Sequence, residues 1–152
     1  MSSITPFLWF NGKAAAAARF YTDVFQDSTL LYVNEVPGDN GTIAAFELKG
    51  RKFMAFDGGP MYEINPAISM MVDCEDQEEV DYFWDRLGEG GKIEACGWLV
   101  DQFGVSWQIV PIAMMEMLGS SDQEAAGRAF AAMMKMTKLE ISVLQAAFDG
   151  VA

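Results

Sequence analysis

The feature that most constrains this chain is an order of elements that occurs twice. Ile4–Phe10 (ITPFLWF) reads as a short buried strand closed by the turn dipeptide Asn11-Gly12. Lys13–Phe25 follows with an alanine run of high helix propensity, and Ala17, Phe20, Tyr21 and Val24 fall on one apolar face. Three β-like stretches come next, Ser28–Val36, Thr42–Leu48 and Arg51–Asp57, separated by the Pro37–Gly41 turn and by Lys49-Gly50. From Ala67 the same order starts again. Ala67–Val72 is an apolar strand, and Asp73–Leu87 is a helix whose Asp76, Glu78 and Glu79 complement its positive N-terminal end. Gly90-Gly91 stops that helix, and Lys92–Ala95, Trp98–Asp101 and Val105–Pro111 supply three more strands. A shift of about 62 residues lays Thr5 over Ala67, Phe7 over Ser69, Trp9 over Met71 and Tyr21 over Phe83, so a βαβββ unit repeats.

Two such units and little else fit in 152 residues, so the expectation is a single α+β domain. Module 1 covers about residues 1–60, module 2 about 65–111, and a helical extension covers 112–152. In the extension, Ile112–Leu118, Asp122–Met136 and Leu139–Phe148 read as helices. Six of the eleven methionines lie between Met114 and Met136, where flexible thioethers suit a face packed on the core or on a second subunit. Leu139, Val143 and Ala147, with Leu144 and Phe148 beside them, form an apolar stripe suited to docking.

Charge and residue counts then remove whole classes of function. Ten Lys and Arg against 22 Asp and Glu give a net charge of −12, which opposes binding to phosphate backbones and to anionic membrane surfaces. No apolar run is long enough to span a bilayer, and the N-terminus lacks the pattern of a secretory signal, so a cytoplasmic location is expected. The chain has no histidine, which removes any triad with a His base and any His-ligated metal. Cys74 and Cys96 form no CxxC pair and read as reduced thiols.

Three segments carry a family resemblance: PFLWFNGKAAAAARFY, NPAISMMVDCEDQEEVDYFWDRL, and CGWLVDQFGVSWQIVP with the following KMTKLEI. Together they resemble the PhnB-like branch of the glyoxalase / bleomycin resistance / extradiol dioxygenase superfamily, also called vicinal oxygen chelate. Members of this branch often carry the label 3-demethylubiquinone-9 3-methyltransferase. The resemblance implies a glyoxalase-like fold, with paired βαβββ modules forming a cupped mixed sheet, usually assembled as a homodimer. It also implies a divalent metal held by His and Glu from the first and fourth strands of each module. Carried onto this chain, those positions fall near Thr5 (or Pro6), Met54, Ala67 and Gln108, where only the Gln108 carboxamide offers a hard oxygen. No metal site and no cofactor are therefore expected.

Strand alternation indicates what lines the cup instead, because residues two apart share a face. Phe7, Trp9, Met54 and Met71 are expected as apolar walls, with Ser69 and Gln108 as the polar contacts. Such a lining suits a small apolar or aromatic molecule, with Trp98 a further stacking surface. The methyltransferase label finds no support in the sequence, which lacks the Gly-rich strand-to-helix turn that binds S-adenosylmethionine in a parallel sheet. Glu47, Asp57, Glu94 and Asp101 lie on or beside strands and are the candidates for proton transfer. Two functions thus compete: metal-free binding of a small molecule in the sheet cavity, and a lyase, isomerase or dioxygenase-type enzyme of the same superfamily.

Overall fold

A computed structural model of the chain describes residues 1–151. The chain divides into two compact units, the first Met1–Asn65 and the second from Pro66 onward. Each unit closes its own four-stranded mixed sheet.

In the first unit β1 (Phe7–Phe10), α1 (Ala14–Val24), β2 (Ser28–Glu35), β3 (Thr42–Leu48) and β4 (Arg51–Asp57) follow the expected order. The sheet runs β1-β4-β3-β2, with β1 parallel to β4 and the other pairs antiparallel. The strand expected from Ile4 begins three residues later. Ile4 stands almost fully exposed, and Pro6 has no N–H to give a ladder, although its carbonyl accepts from Met54 N at 2.9 Å. Between β3 and β4 the two-residue loop Lys49-Gly50 has φ of 49° and 80°, the pair of positive values that a tight hairpin turn requires. Helix α1 buries Ala14, Ala17, Ala18, Tyr21 and Val24, while Phe20 is only half-buried, with its ring 5.8 Å from Tyr21. The alanines let the helix lie close to the sheet. Tyr21 meets Phe46 with ring centroids 5.9 Å apart, and Phe46 stacks on Phe53 at 5.5 Å. Each such fully buried side chain contributes roughly 1.5–3 kcal/mol.

The second unit repeats the pattern with β5 (Ser69–Cys74), α2 (Gln77–Gly88), β6 (Lys92–Ile93), β7 (Trp98–Val100) and β8 (Ser106–Pro111), in sheet order β5-β8-β7-β6. Here β5 begins at Ser69 rather than Ala67 and runs on through Asp73 and Cys74, which pair with Val110 and Pro111. Helix α2 starts later than expected because Asp76 is its N-cap, its carboxylate accepting from Glu79 N at 2.9 Å. Val80, Phe83, Trp84 and Leu87 form its buried face, packed on β7 and β8.

Three helices continue directly from β8: α3 (Ile112–Leu118), α4 (Gln123–Met133) and α5 (Ile141–Asp149). Met114 and Met117 are buried with Val110, Ala129, Leu139 and Leu144, and Met133, Met136 and Phe148 pack against that cluster. The methionines are thus largely interior, whereas Met115, Met134 and Val143 stay about half exposed. Helix α4 ends at Met133, short of the expected Met136, because the next segment leaves to pair elsewhere. Cys96 N donates to the Met136 carbonyl and Gly97 N to that of Thr137, each at 2.8 Å. One turn on, the Gln77 carboxamide of α2 donates to Leu139 O at 3.0 Å and accepts from Ile141 N at 2.8 Å, so α5 starts two residues after Leu139. Lys138 lies 2.8 Å from Asp81. Hydrogen bonds from Lys138 and Gln77 hold the Asp81 carboxyl below its ordinary range, and the Lys138 ammonium is raised in return.

Candidate functional site

In each unit one helix covers one sheet face, and the opposite face carries the residues singled out from sequence. In the first unit register sets Phe7 beside Met54 and Trp9 beside Phe56 on the helix-free face. Phe7 is 53% exposed, and Trp9 and Met54 are half-buried. Trp9 sits edge-on to Phe56 at 5.5 Å and to Tyr62 at 5.1 Å, and its indole N–H donates to the Gly59 carbonyl at 2.9 Å. The indole is therefore oriented by the loop after β4 and packs closely against Gly58, where a Cβ would collide with its ring. Tyr62 was not visible as a partner from sequence, since a loop residue carries no periodicity.

In the second unit Ser69 stands beside Ser106, and Met71 beside Gln108. Antiparallel pairing then sets Trp98 against Gln108 and Val100 against Ser106. All six share the face opposite α2. Gln108 Nε2 donates to Ser69 Oγ at 3.0 Å, and Met71 is 49% exposed. A cavity of about 290 Å³ opens here, lined by Trp98, Leu99, Val100 and Ser106 together with Pro66, Glu94 and Ala95; Ser69, Met71 and Gln108 share the face but do not form its wall. The alternation of β8 grouped Ser106 with Gln108 from sequence, but nothing in the sequence singled out Ser106 as the residue at the cavity.

Among the superfamily ligand positions, Thr5 and Ala67 both precede their strands, so neither belongs to the ladder. The residue that the register sets across from Met54 is Phe7, and the one across from Gln108 is Met71. Together these four supply one carboxamide, two thioethers and a phenyl ring. Among the described residues no group of three His, Cys, Asp or Glu side chains is placed to hold a metal ion.

The four candidate acids separate by partner. Asp57 Oδ1 accepts from Ala14 N at 2.8 Å, so it caps α1 from β4. Asp101 is buried and accepts from Phe103 N at 2.8 Å, Val105 N at 3.0 Å and the Trp107 indole N–H at 2.8 Å. It is a fastener for the turn into β8, not a proton shuttle. Glu47 lies across from Lys52 in the β3–β4 ladder. Only Glu94 touches the cavity.

Cys74 is fully buried, and burial first, then the charges of Glu79, Asp73 and Asp76, push its thiol from 9.0 to about 12. The unfolded thiol ionises more easily, so the protonated thiol's contribution to the folded state is fully present below about pH 9 and is lost as the pH rises toward 12. Iodoacetamide at mildly alkaline pH is expected to label the half-buried Cys96 well before Cys74, read by peptide mass spectrometry. Equal rates at the two thiols would contradict this.

Comparison with known proteins locates the chain. The family described as 3-demethylubiquinone-9 3-methyltransferase matches residues 2–110, ending just before α3. A PhnB protein from Bacillus cereus described as a 3-demethylubiquinone-9 3-methyltransferase is 33% identical, with 72% of this chain and 99% of that one covered and a TM-score of 0.67. Protein PA1353 from Pseudomonas aeruginosa is 21% identical over 73% of this chain and 98% of that one, with a TM-score of 0.63. The fosfomycin resistance protein FosX from Listeria monocytogenes, solved with Mn(II) and sulfate, shares the fold at 14% identity and a TM-score of 0.52, covering 72% of this chain and 91% of that one. No protein of curated function matches. With the doubled βαβββ order, the two mixed sheets and these similarities, the chain belongs to the 3-demethylubiquinone-9 3-methyltransferase family, the PhnB-like branch of the glyoxalase / vicinal oxygen chelate superfamily.

Proposed function

We propose that this protein binds a small, apolar or aromatic molecule on the helix-free sheet face of its second unit, without the metal of its superfamily. The observation that carries this reading is the cavity of about 290 Å³ beside the Ser69–Gln108 pair, a mostly apolar recess with few polar groups. Phe7, Trp9 and Met54 present a second apolar face, in the first unit, to the same class of ligand.

Neither of the groups that the relatives imply fits the residues present. A hard divalent cation such as the Mn(II) in FosX needs several oxygen or imidazole donors. Phe7, Met54, Met71 and Gln108 do not supply them: the carboxamide oxygen of Gln108 is the one hard donor among the four, and its Nε2 donates to Ser69 Oγ. S-adenosylmethionine, implied by the family's description, fits no better. Both strand-to-helix turns end in capped helices, with Asp57 on Ala14 N and Asp76 on Glu79 N, and α2 opens with Glu78 and Glu79. Neither helix start suits a cofactor carboxylate.

The test is a thermal-shift screen of ring compounds, with and without EDTA, followed by titration of the best hit into wild type and Gln108→Leu. Binding should persist in EDTA, because it needs no metal. The substitution should cost a ligand that hydrogen-bonds to Gln108 about 1–3 kcal/mol. Hits abolished by EDTA and restored by Mn(II) would favour the enzyme reading. Equal affinities in the two proteins would remove Gln108 from the site.

The same reading includes a homodimer. Phe130, Met134 and Val143 of the C-terminal helices are each more than half exposed and supply apolar surface for an identical chain to cover. Light scattering is expected to return twice the mass of one chain at micromolar concentration, and a single-chain mass would overturn it.

A further inference from the structure

The Ser106 hydroxyl is buried, in a residue 1% exposed, and has no hydrogen-bond partner. An unpaired hydroxyl in an apolar interior is unfavourable, and alanine at this position would remove the cost. Register sets Ser106 between Ser69 on β5 and Val100 on β7, so it projects from the same face as Gln108. Gln108 and Ser69 bond to each other, and Ser106 is left at the wall of the cavity with its hydrogen-bonding capacity unused.

Charge narrows what that capacity is for. Glu94 is the only ionisable side chain lining the cavity, which has no Lys or Arg, and the whole chain carries −12. Glu94 pairs with Lys92 at 3.5 Å, but the two side chains are 41% and 76% exposed, and ion pairs this open contribute little. A cation inside the cavity can therefore compete for the Glu94 carboxylate. An anion would meet the same carboxylate, and the lining offers no Lys or Arg; the ammonium nearest to it, that of Lys92, is already held by Glu94 at 3.5 Å.

Resting on the reading that this cavity is the binding site, we propose that its ligand is a single-ring molecule bearing a neutral or cationic hydrogen-bonding group, and that anionic analogues are excluded. The ring lies against the Trp98 indole, the hydroxyl or ammonium group meets Ser106 Oγ, and Glu94 adds attraction for a cation. Size agrees with one ring. A cavity of roughly 150 Å³ takes up benzene, so about 290 Å³ leaves room for a ring with a short side arm.

Three probes of nearly one shape separate the terms: benzylamine, benzyl alcohol and benzoate, titrated by calorimetry at low salt into wild type, Ser106→Ala and Glu94→Gln. Benzylamine should bind tightest, benzyl alcohol next, and benzoate at least about tenfold more weakly than the amine. Ser106→Ala should weaken the amine and the alcohol about five- to tenfold, while the melting temperature of the ligand-free protein stays level or rises. Glu94→Gln should bring the amine down to the alcohol. Benzoate binding as tightly as benzylamine overturns the inference while leaving the cavity a binding site. Failure of all three probes to bind wild type overturns the cavity reading itself. A Ser106→Ala protein that melts lower yet binds the amine unchanged would make the hydroxyl structural, and the inference would fall.

Discussion

Replacing Asp101 by alanine is expected to destabilise the protein by about 3–5 kcal/mol, a large part of the ~5–15 kcal/mol that holds a domain of this size. The carboxylate is the common acceptor for two backbone N–H groups, those of Phe103 and Val105, and for the Trp107 indole N–H. Truncation leaves all three donors without it, and the Val105 and Trp107 donors are buried. The backbone closes the same turn through Asp101 N to Val105 O at 2.8 Å and Gly104 N to Asp101 O at 3.0 Å. The loss is therefore felt at the entry to β8, the strand that carries Ser106 and Gln108. Asp101→Asn should fall between wild type and alanine. Its amide keeps one oxygen for the turn but sets an NH₂ group against the Trp107 N–H, or the reverse if it flips. Urea unfolding followed by tryptophan fluorescence measures both variants. A loss under 1 kcal/mol for Asp101→Ala would show that water replaces the carboxylate, and that this turn does not depend on it.

The second large effect is expected at Gly97. Its φ is +82°, a conformation that costs an L side chain about 1–2 kcal/mol. A Cβ there would also stand 2.8 Å from Leu139 Cδ1 and 3.0 Å from the Ile109 carbonyl. Gly97 further donates to Thr137 O and accepts from Ile109 N, so the residue is pinned on both sides and has little freedom to move away. Strain and overpacking together predict a loss of about 2–4 kcal/mol for Gly97→Ala. Leu139→Ala alone removes a fully buried side chain and should cost about 2–5 kcal/mol. Because the alanine truncates the atom that Gly97→Ala strikes, the double variant should lose at least about 1 kcal/mol less than the sum. Thermal and urea melts of the four proteins close the cycle. Strict additivity would mean that the clash is relieved elsewhere and that the backbone conformation alone carries the cost. The neighbouring Trp98 and Ala95 line the cavity, so the single variant should also weaken any ligand held there.

The periodicity of the chain was enough to locate most elements. The alanine run of α1 and the acidic start of α2 announce helices, and Asn11-Gly12, Lys49-Gly50 and Gly90-Gly91 mark where elements stop. Strand ends were less legible, because Ile4 and Ala67–Ile68 look apolar yet stand exposed ahead of β1 and β5. Apolar character says that a residue can be buried, and only a ladder partner determines that it is. For the same reason α4 stops three residues short of the end that its sequence pattern predicts. Met133–Met136 has good helix formers, but the carbonyls of Met136 and Thr137 are taken by Cys96 and Gly97, about forty residues earlier in the chain.

What the sequence determined by itself, beside the family resemblance of three segments, is the doubled βαβββ order and the absence of histidine from any site. Those follow from local pattern and composition, which do not depend on what lies across a strand. Alternation also grouped Phe7 with Trp9 and Ser106 with Gln108, since a period of two is a property of the strand alone. The tertiary structure decided the rest: that Asp57 and Asp101 are fasteners, that Ser69 satisfies Gln108, and that Ser106 is left without a partner beside a cavity. Each of those facts depends on register between segments far apart in the chain. A hydrogen bond is made or missed over a few tenths of an ångström, which periodicity cannot specify and packing does.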